Sequence, residues 1–144
     1  MKNRDLILML IEKSTNAFGE VFGITEMTKL KSALSIIQST IQDSFGINSS
    51  KLSKNKLSEI LKKGVLDLEQ GRLLTNLLWA QAEIFNKLKQ PQDSLRQYEN
   101  ALQILYWKAQ QPAEKDRLER KMKIDELETI IEELKENSKL ELMQ

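Results

Sequence analysis

Apolar residues recur at steps of three and four along most of this chain, a period that constrains it to α-helices packed through one face. Only five Gly and two Pro interrupt the period. No segment alternates between apolar and polar residues for more than a few positions, so no strand is predicted. The predicted helices begin near Asp5, Glu26, Ser53, Asp67, Asp93 and Pro112. We therefore expect an all-α helical bundle of about six helices.

Turn and capping residues mark the ends of the predicted helices. Gly46 and Gly64 suit the position after a helix C-terminus, where the backbone turns left-handed. Ser53 suits an N-cap, because its hydroxyl can accept a hydrogen bond from an orphan backbone N–H. Pro91 ends the fourth helix, and Pro112 suits the first turn of the last one. These signals predict short connections between neighbouring helices.

The length is that of one domain. A chain of 144 residues buries about 68–70% of the surface that it exposes when unfolded, which is enough for a core. Hydrophobic residues make up 40% of the chain and charged residues 30%, as in a globular protein. We expect a single helical domain over residues 1–136 and a frayed C-terminal tail over residues 137–144.

The chain contains neither Cys nor His. This composition removes disulfides, thiol nucleophiles, thiolate metal ligands and the commonest general base. Carboxylate-bridged di-metal bundles need Glu-x-x-His motifs, and the acidic residues of 125–136 spread over a wide helical arc. No nucleotide-binding or hydrolase motif occurs. We therefore expect no enzymatic activity, no cofactor and no bound metal.

The net charge is +1, but the charges are unevenly distributed. Residues 51–63 hold five Lys against one Glu, and residues 125–136 hold six acidic residues against one Lys. We interpret both stretches as solvated helix faces, because the lysines have no interleaved aromatic side chain on which a base could stack. The N-terminal apolar run Leu6–Ile11 is too short for a secretory or membrane-spanning segment. We expect a cytoplasmic protein with neither a nucleic-acid nor a membrane partner.

The region around Pro91 carries a recognisable packing pattern. Small residues at Ser94 and Ala101 flank the ring of Tyr98 in the predicted fifth helix. Large, small and aromatic residues precede them in the fourth helix, at Leu78, Ala82 and Phe85. Over about 34 residues this pattern resembles the tetratricopeptide repeat, in which small residues let two antiparallel helices approach and rings fill the space beside them.

Only one unit of this kind is present. Shifting the pattern by one repeat length places charged residues and Pro112 at packing positions, whereas stacked repeats need about three units. The unit also departs from the repeat, which favours Leu, Gly and Pro, at Gln81, Lys89 and Tyr106. The resemblance therefore implies a single antiparallel hairpin within a bundle rather than a solenoid.

Three features extend over the whole chain. Arg4-Asp5 precedes an apolar helix with Ile11-Glu12 at its end, a short element runs from Leu57 to Gly64, and the hairpin follows. In these features the chain resembles a family of short, all-helical bacterial proteins that has no assigned activity. This resemblance implies the fold and leaves the function open.

The resemblance to the repeat implies a non-catalytic protein–protein interaction module. In such a hairpin one face of the first helix lines a groove for a protein or peptide partner. By position that face carries Asn76, Trp79, Glu83, Asn86 and Lys87. Trp79 is the natural anchor because it joins a large ring to a hydrogen-bond donor. The alternative is that Trp79 is an ordinary core residue, since Leu78 and Ala82 are close by.

The last helix suggests self-association. Ile124, Leu127, Ile131 and Leu134 form an apolar seam two heptads long. The first half of this helix is basic and the second half acidic, so an antiparallel pair would place each basic half against an acidic one. This pattern predicts a homodimer through the last helix. The alternative is that the seam packs on the chain's own hairpin.

Two other functions stay open. One is a small enzyme or ligand-binding bundle whose enclosed pocket is lined by carboxylates with Tyr98 or Tyr106. The other is a purely structural homodimer. A shallow groove with an exposed Trp79 would favour the interaction module over both.

Overall fold

The computed structural model describes residues 27–112 and 115–143 of the chain. This part contains five α-helices and one short 3-10 helix: α1 Met27–Phe45, the 3-10 helix Ser49–Lys51, α2 Lys54–Lys62, α3 Leu68–Lys87, α4 Pro91–Ala109 and α5 Arg117–Met143. No strand occurs within those residues. The prediction of an all-α helical bundle is confirmed. The additional helix predicted from Asp5 lies outside the described residues.

Capping residues define the starts of the two middle helices. The Ser53 Oγ accepts from the Lys56 backbone N–H at 3.1 Å and caps α2, as predicted. At α3 the Asp67 carboxylate accepts from the Gln70 backbone N–H at 2.7 Å, and the Gln70 side chain accepts from the Asp67 N–H at 3.0 Å. This reciprocal capping box satisfies two otherwise orphan donors.

Left-handed residues end the first three helices. Gly46 directly follows α1 with φ 67°, and Gly64 follows α2 after Lys63 with φ 69°. Lys89 adopts φ 60° in the turn between α3 and α4, where the tetratricopeptide repeat favours Gly. A side chain in this conformation costs about 1–2 kcal/mol, so the hairpin turn is strained at Lys89.

The last helix differs from its predicted bounds. It begins at Arg117, five residues after Pro112, and continues to Met143 through the residues predicted to form a frayed tail. No Gly or Pro interrupts residues 137–143, and Glu136 lies three residues before Lys139, a spacing at which opposite charges support a helix. No helix of the described part is both long enough and apolar enough to span a membrane.

The centre of the bundle is the antiparallel pair α3 and α4, and twelve of the twenty residues of α3 are buried. The Ser94 hydroxyl donates to the Ala82 carbonyl at 2.8 Å, which joins the two helices near their turn. Ala82 and Ala101 are fully buried. At the other end of the pair, a Cβ on Gly71 would lie 2.9 Å from the Trp107 ring. Small residues therefore permit close approach along the whole hairpin.

The apolar seam of α5 packs on this hairpin. Leu127 and Ile131 are buried in the main core, and Ile124 and Leu134 pack against it while partly buried. The seam is therefore occupied within the chain, which is the alternative that the sequence left open. A homodimer cannot form through these four residues without displacing α5 from the hairpin.

A partly buried ion pair joins the end of α4 to the start of α5. Lys108 is 2% exposed, and its Nζ lies 2.9 Å from Asp116 Oδ2. Burial alone would raise the pKa of the Asp116 carboxyl, but the hydrogen bond and the charge of Lys108 outweigh it and lower that pKa below its ordinary value. The Asp116 carbonyl also accepts from the Arg120 N–H at 3.0 Å, in the first turn of α5.

We predict that Asp116→Asn destabilises the protein at pH 7 by about 1–3 kcal/mol, because the buried Lys108 ammonium loses its charged partner. The folded-state pKa of Asp116 lies below its unfolded value, so this stabilisation is present above about pH 4 and is lost as the pH falls through the folded pKa. Urea unfolding across a pH series should show the difference between the two proteins shrinking below about pH 4. The double variant Lys108→Met/Asp116→Asn should recover part of the loss, and no recovery would contradict the assignment of the loss to an unpaired ammonium.

We also predict that Ala82→Leu lowers the free energy of unfolding by about 1–3 kcal/mol or more, because the fully buried site has no room for three further carbons. Ala109→Leu places the same substitution at an exposed position at the end of α4. It should change stability by less than about 0.5 kcal/mol. Urea unfolding followed by circular dichroism measures both, and equal effects would show that the helices do not pack closely at Ala82.

Candidate functional site

The predicted partner-binding face of α3 is covered at its N-terminal end by α5. The Asn76 Oδ1 accepts from Lys123 Nζ at 3.0 Å, and Arg72 pairs with Glu119 one turn earlier at 3.7 Å. Trp79 follows on the same face, is 7% exposed and belongs to the main core. The burial of Trp79 supports its alternative interpretation as a core residue rather than a groove anchor.

The remaining residues of the predicted face divide between core and solvent. Glu83 is half-buried and accepts a hydrogen bond from the buried Tyr98 hydroxyl. Burial, this hydrogen bond and the negative charges of Glu83 and Glu126 raise the pKa of Tyr98. Asn86 and Lys87 are exposed at the end of α3. The five predicted residues therefore do not form one open surface.

A different polar surface is built on α4. Three of its side-chain amides lie three residues apart and donate to main-chain carbonyls between α1 and the start of α2. These bonds run from Gln97 to Ser49 (3.1 Å), from Asn100 to Leu52 (3.2 Å) and from Gln103 to Lys54 (3.1 Å). We call Gln97, Asn100 and Gln103 the amide ladder. The ladder holds the segment between α1 and α2 by hydrogen bonds to its main chain and makes none of these bonds to its side chains.

Each ladder amide uses only its N–H group. Gln97 Oε1, Asn100 Oδ1 and Gln103 Oε1 are buried and accept no hydrogen bond. Gln97 and Asn100 are at most 1% exposed. A buried acceptor without a partner costs about 1–3 kcal/mol, so these three oxygens offset part of the stabilisation that the N–H groups of the ladder provide.

A cleft of about 360 Å³ opens beside the ladder, along the N-terminal half of α4. Asn100 and Lys54 belong to both the ladder region and the cleft, and half-buried Leu95 adds an apolar surface. Charged residues line most of the rest of it: Lys54 Nζ lies 2.9 Å from Glu99, and Arg96 pairs with Asp93 just outside the lining. We call this the α4 cleft. It offers one apolar contact and charges of both signs.

A second cleft, of about 340 Å³, lies between α4 and α5. Leu102 and Ile131 are its apolar residues, and three glutamates and two lysines of α5 surround them: Glu128, Glu132, Glu136, Lys135 and Lys139. We call it the α4/α5 cleft. Tyr106 is exposed beside it and donates to Glu128 at 2.6 Å, and this hydrogen bond, together with burial, raises the pKa of Tyr106 to about 12.

The arrangement required for an enclosed carboxylate–tyrosine pocket is not formed by the two tyrosines. Tyr98 lies in the core, whereas Tyr106, eight residues further along α4, is on the surface. Within the part of the chain that the structure describes, no three acidic side chains converge in a way that could hold a metal ion.

Comparison with known proteins adds no family. No family model matches the chain, and no curated protein or solved structure matches it. The resemblances to the tetratricopeptide repeat and to the bacterial family stay predictions. A function for this chain is therefore inferred from the contacts within it.

We predict that Trp79→Ala lowers the free energy of unfolding by about 3–5 kcal/mol, because it leaves a large cavity in the core. Asn86→Ala, on the exposed end of the same helix, should change it by less than about 0.5 kcal/mol. Urea unfolding measures both. An unchanged unfolding midpoint for Trp79→Ala would instead place this ring on a surface available to a partner.

Proposed function

We propose that this chain is a non-catalytic protein-interaction module, and that it binds a short peptide segment of a partner protein in the α4 cleft. The observation that carries the proposal is the amide ladder. Three side chains of α4 already hold polypeptide backbone by hydrogen bonds to the carbonyls of Ser49, Leu52 and Lys54. Peptide recognition commonly combines such main-chain hydrogen bonds with pockets for selected side chains.

The α4 cleft supplies the second part of this combination. Asn100 lines it beside the ladder, and its side-chain N–H group already holds the Leu52 carbonyl. Leu95 offers contact to an apolar side chain, and the Lys54–Glu99 pair offers both charges at the rim. A volume of about 360 Å³ lies at the small end of ligand pockets, which span about 300–1,000 Å³. The occupant is therefore a short segment with one apolar side chain.

The kind of function is the one that the sequence suggested, but its site is different. The site predicted from the sequence lies on α3, where Trp79 belongs to the core. The proposed site lies on α4, whose solvent face is open at Gln92 and Arg96. The absence of Cys fits a reducing compartment, and we infer that the module acts in the cytoplasm.

We predict that a display library of random peptides, panned against the wild-type chain, enriches peptides that lose affinity when Leu95 is replaced by Asp. The loss should be at least about tenfold by calorimetry, because the apolar contact is replaced by a charge. Val65→Asp is the matched control, since Val65 is 60% exposed and does not line the cleft. The control should bind as the wild type does.

Because Leu95 is half-buried, a second variant separates loss of binding from loss of fold. Arg96→Glu changes an exposed residue of the rim and should preserve the unfolding temperature while it changes which peptides are enriched. No enrichment above an unrelated helical bundle would refute the proposed function. Enriched peptides whose affinity is unchanged by both cleft variants but reduced by Lys87→Glu would refute the α4 site. That result would instead place the binding surface on α3.

A further inference from the structure

The outer face of α5 carries exposed apolar side chains. The inner face of this helix is buried at Leu127 and Ile131, whereas Leu118 is 73% and Met122 64% exposed. These two residues are one turn apart on the side opposite the core. Arg117 and Lys121 flank them in sequence, so the exposed pair lies within a basic stretch. Two exposed apolar side chains beside basic ones can bind a surface of complementary chemistry.

The α4/α5 cleft has the complementary chemistry. Its apolar residues, Leu102 and Ile131, lie beside the carboxylates of Glu132 and Glu136. It also contains Lys135 and Lys139, so its glutamates exceed its lysines by only one. Of its charged residues, Glu132 and Glu136 lie closest to the side of α5 that carries Leu118, so an apolar side chain with basic neighbours can contact them beside the apolar residues.

Both surfaces belong to the same helix, and their separation suits two-fold symmetry. Leu118 precedes Glu132 and Glu136 by 14 and 18 residues, or roughly 21 and 27 Å along the helix. When two copies of α5 run antiparallel, the start of each helix lies against the end of the other. Each copy then offers its Leu118 to the partner's α4/α5 cleft, and both contacts form in one closed, isologous interface.

We propose that this chain forms an antiparallel homodimer in which Leu118 of each copy enters the α4/α5 cleft of the other. Lys121 then lies near the partner's Glu132, and Arg117 lies near the partner's Glu136. In this interface α5 stays packed on the hairpin of its own chain, unlike in the dimer that the sequence suggested. Its formation does not require a peptide in the α4 cleft.

Sedimentation equilibrium over a concentration series up to about 1 mM tests the association. The wild type should approach the dimer mass, and Leu118→Asp should stay a monomer. Because Leu118 is 73% exposed, this variant should unfold at the wild-type temperature when both are measured at a low concentration at which the wild type is monomeric. A wild type that is monomeric throughout, or a Leu118→Asp variant that dimerises equally well, would overturn the proposal.

Charge reversal tests the pairing. Lys121→Glu and Glu132→Lys should each weaken the dimer by about tenfold. The double variant should restore the affinity, because the two reversed charges again attract each other in both symmetric contacts. Lys63→Glu makes the same charge change at an exposed residue outside this interface and should leave the dimer unchanged. Additive losses in the double variant would refute the Lys121–Glu132 pairing.

The absence of native Cys allows the direction of pairing to be read directly. A mixture of Leu118→Cys and Glu136→Cys proteins should form a mixed disulfide under mild oxidation, while neither protein should cross-link to itself efficiently. Parallel helices would instead bring the two introduced thiols of a Leu118→Cys dimer close together, and this protein would cross-link efficiently on its own. That outcome would refute the antiparallel arrangement.

Discussion

The close contact between α3 and α4 determines where every other described element lies. The Ser94 hydroxyl reaches the Ala82 carbonyl at 2.8 Å, and Ala101 is fully buried nearby. This distance requires small side chains, because a larger one at Ala82 or Ser94 would separate the helices. The pair then presents α4 to the segment before α2 on one side and to α5 on another.

Polar side chains of α4, rather than apolar ones, set the register between α4 and the segment that connects α1 to α2. Apolar contacts at Ile47 and Leu52 drive its burial but would tolerate a shift along α4. The amide ladder does not tolerate such a shift, because moving the segment by one residue would leave buried N–H donors without carbonyl acceptors. Each amide gains one hydrogen bond and leaves its oxygen unpaired. The ladder therefore fixes the register of this segment at the cost of three unpaired oxygens.

Local signals predicted the elements, whereas contacts between distant residues decided the site. Ser53 before an apolar helix predicts an N-cap, and the spacing of the apolar residues around Leu127 and Ile131 predicts a buried helix face. Trp79 could not be assigned in this way, because α3 is buried on several sides and its pattern does not say which face α5 covers. The amides at Gln97 and Asn100 were missed because their acceptors lie 48 residues away. Three amides at three-residue steps on a largely buried helix were the available signal.

The two proposed binding surfaces share one helix. Leu95 of the α4 cleft and Leu102 of the α4/α5 cleft are seven residues apart, which places them about two turns apart on the same face. A second copy seated at Leu102 therefore lies within about 11 Å, along the helix, of a peptide at Leu95. Contact between these two occupants would change both affinities by the same factor, because linkage is reciprocal. In a symmetric dimer this places two peptide sites next to one interface, so self-association would set how many partner segments are held together.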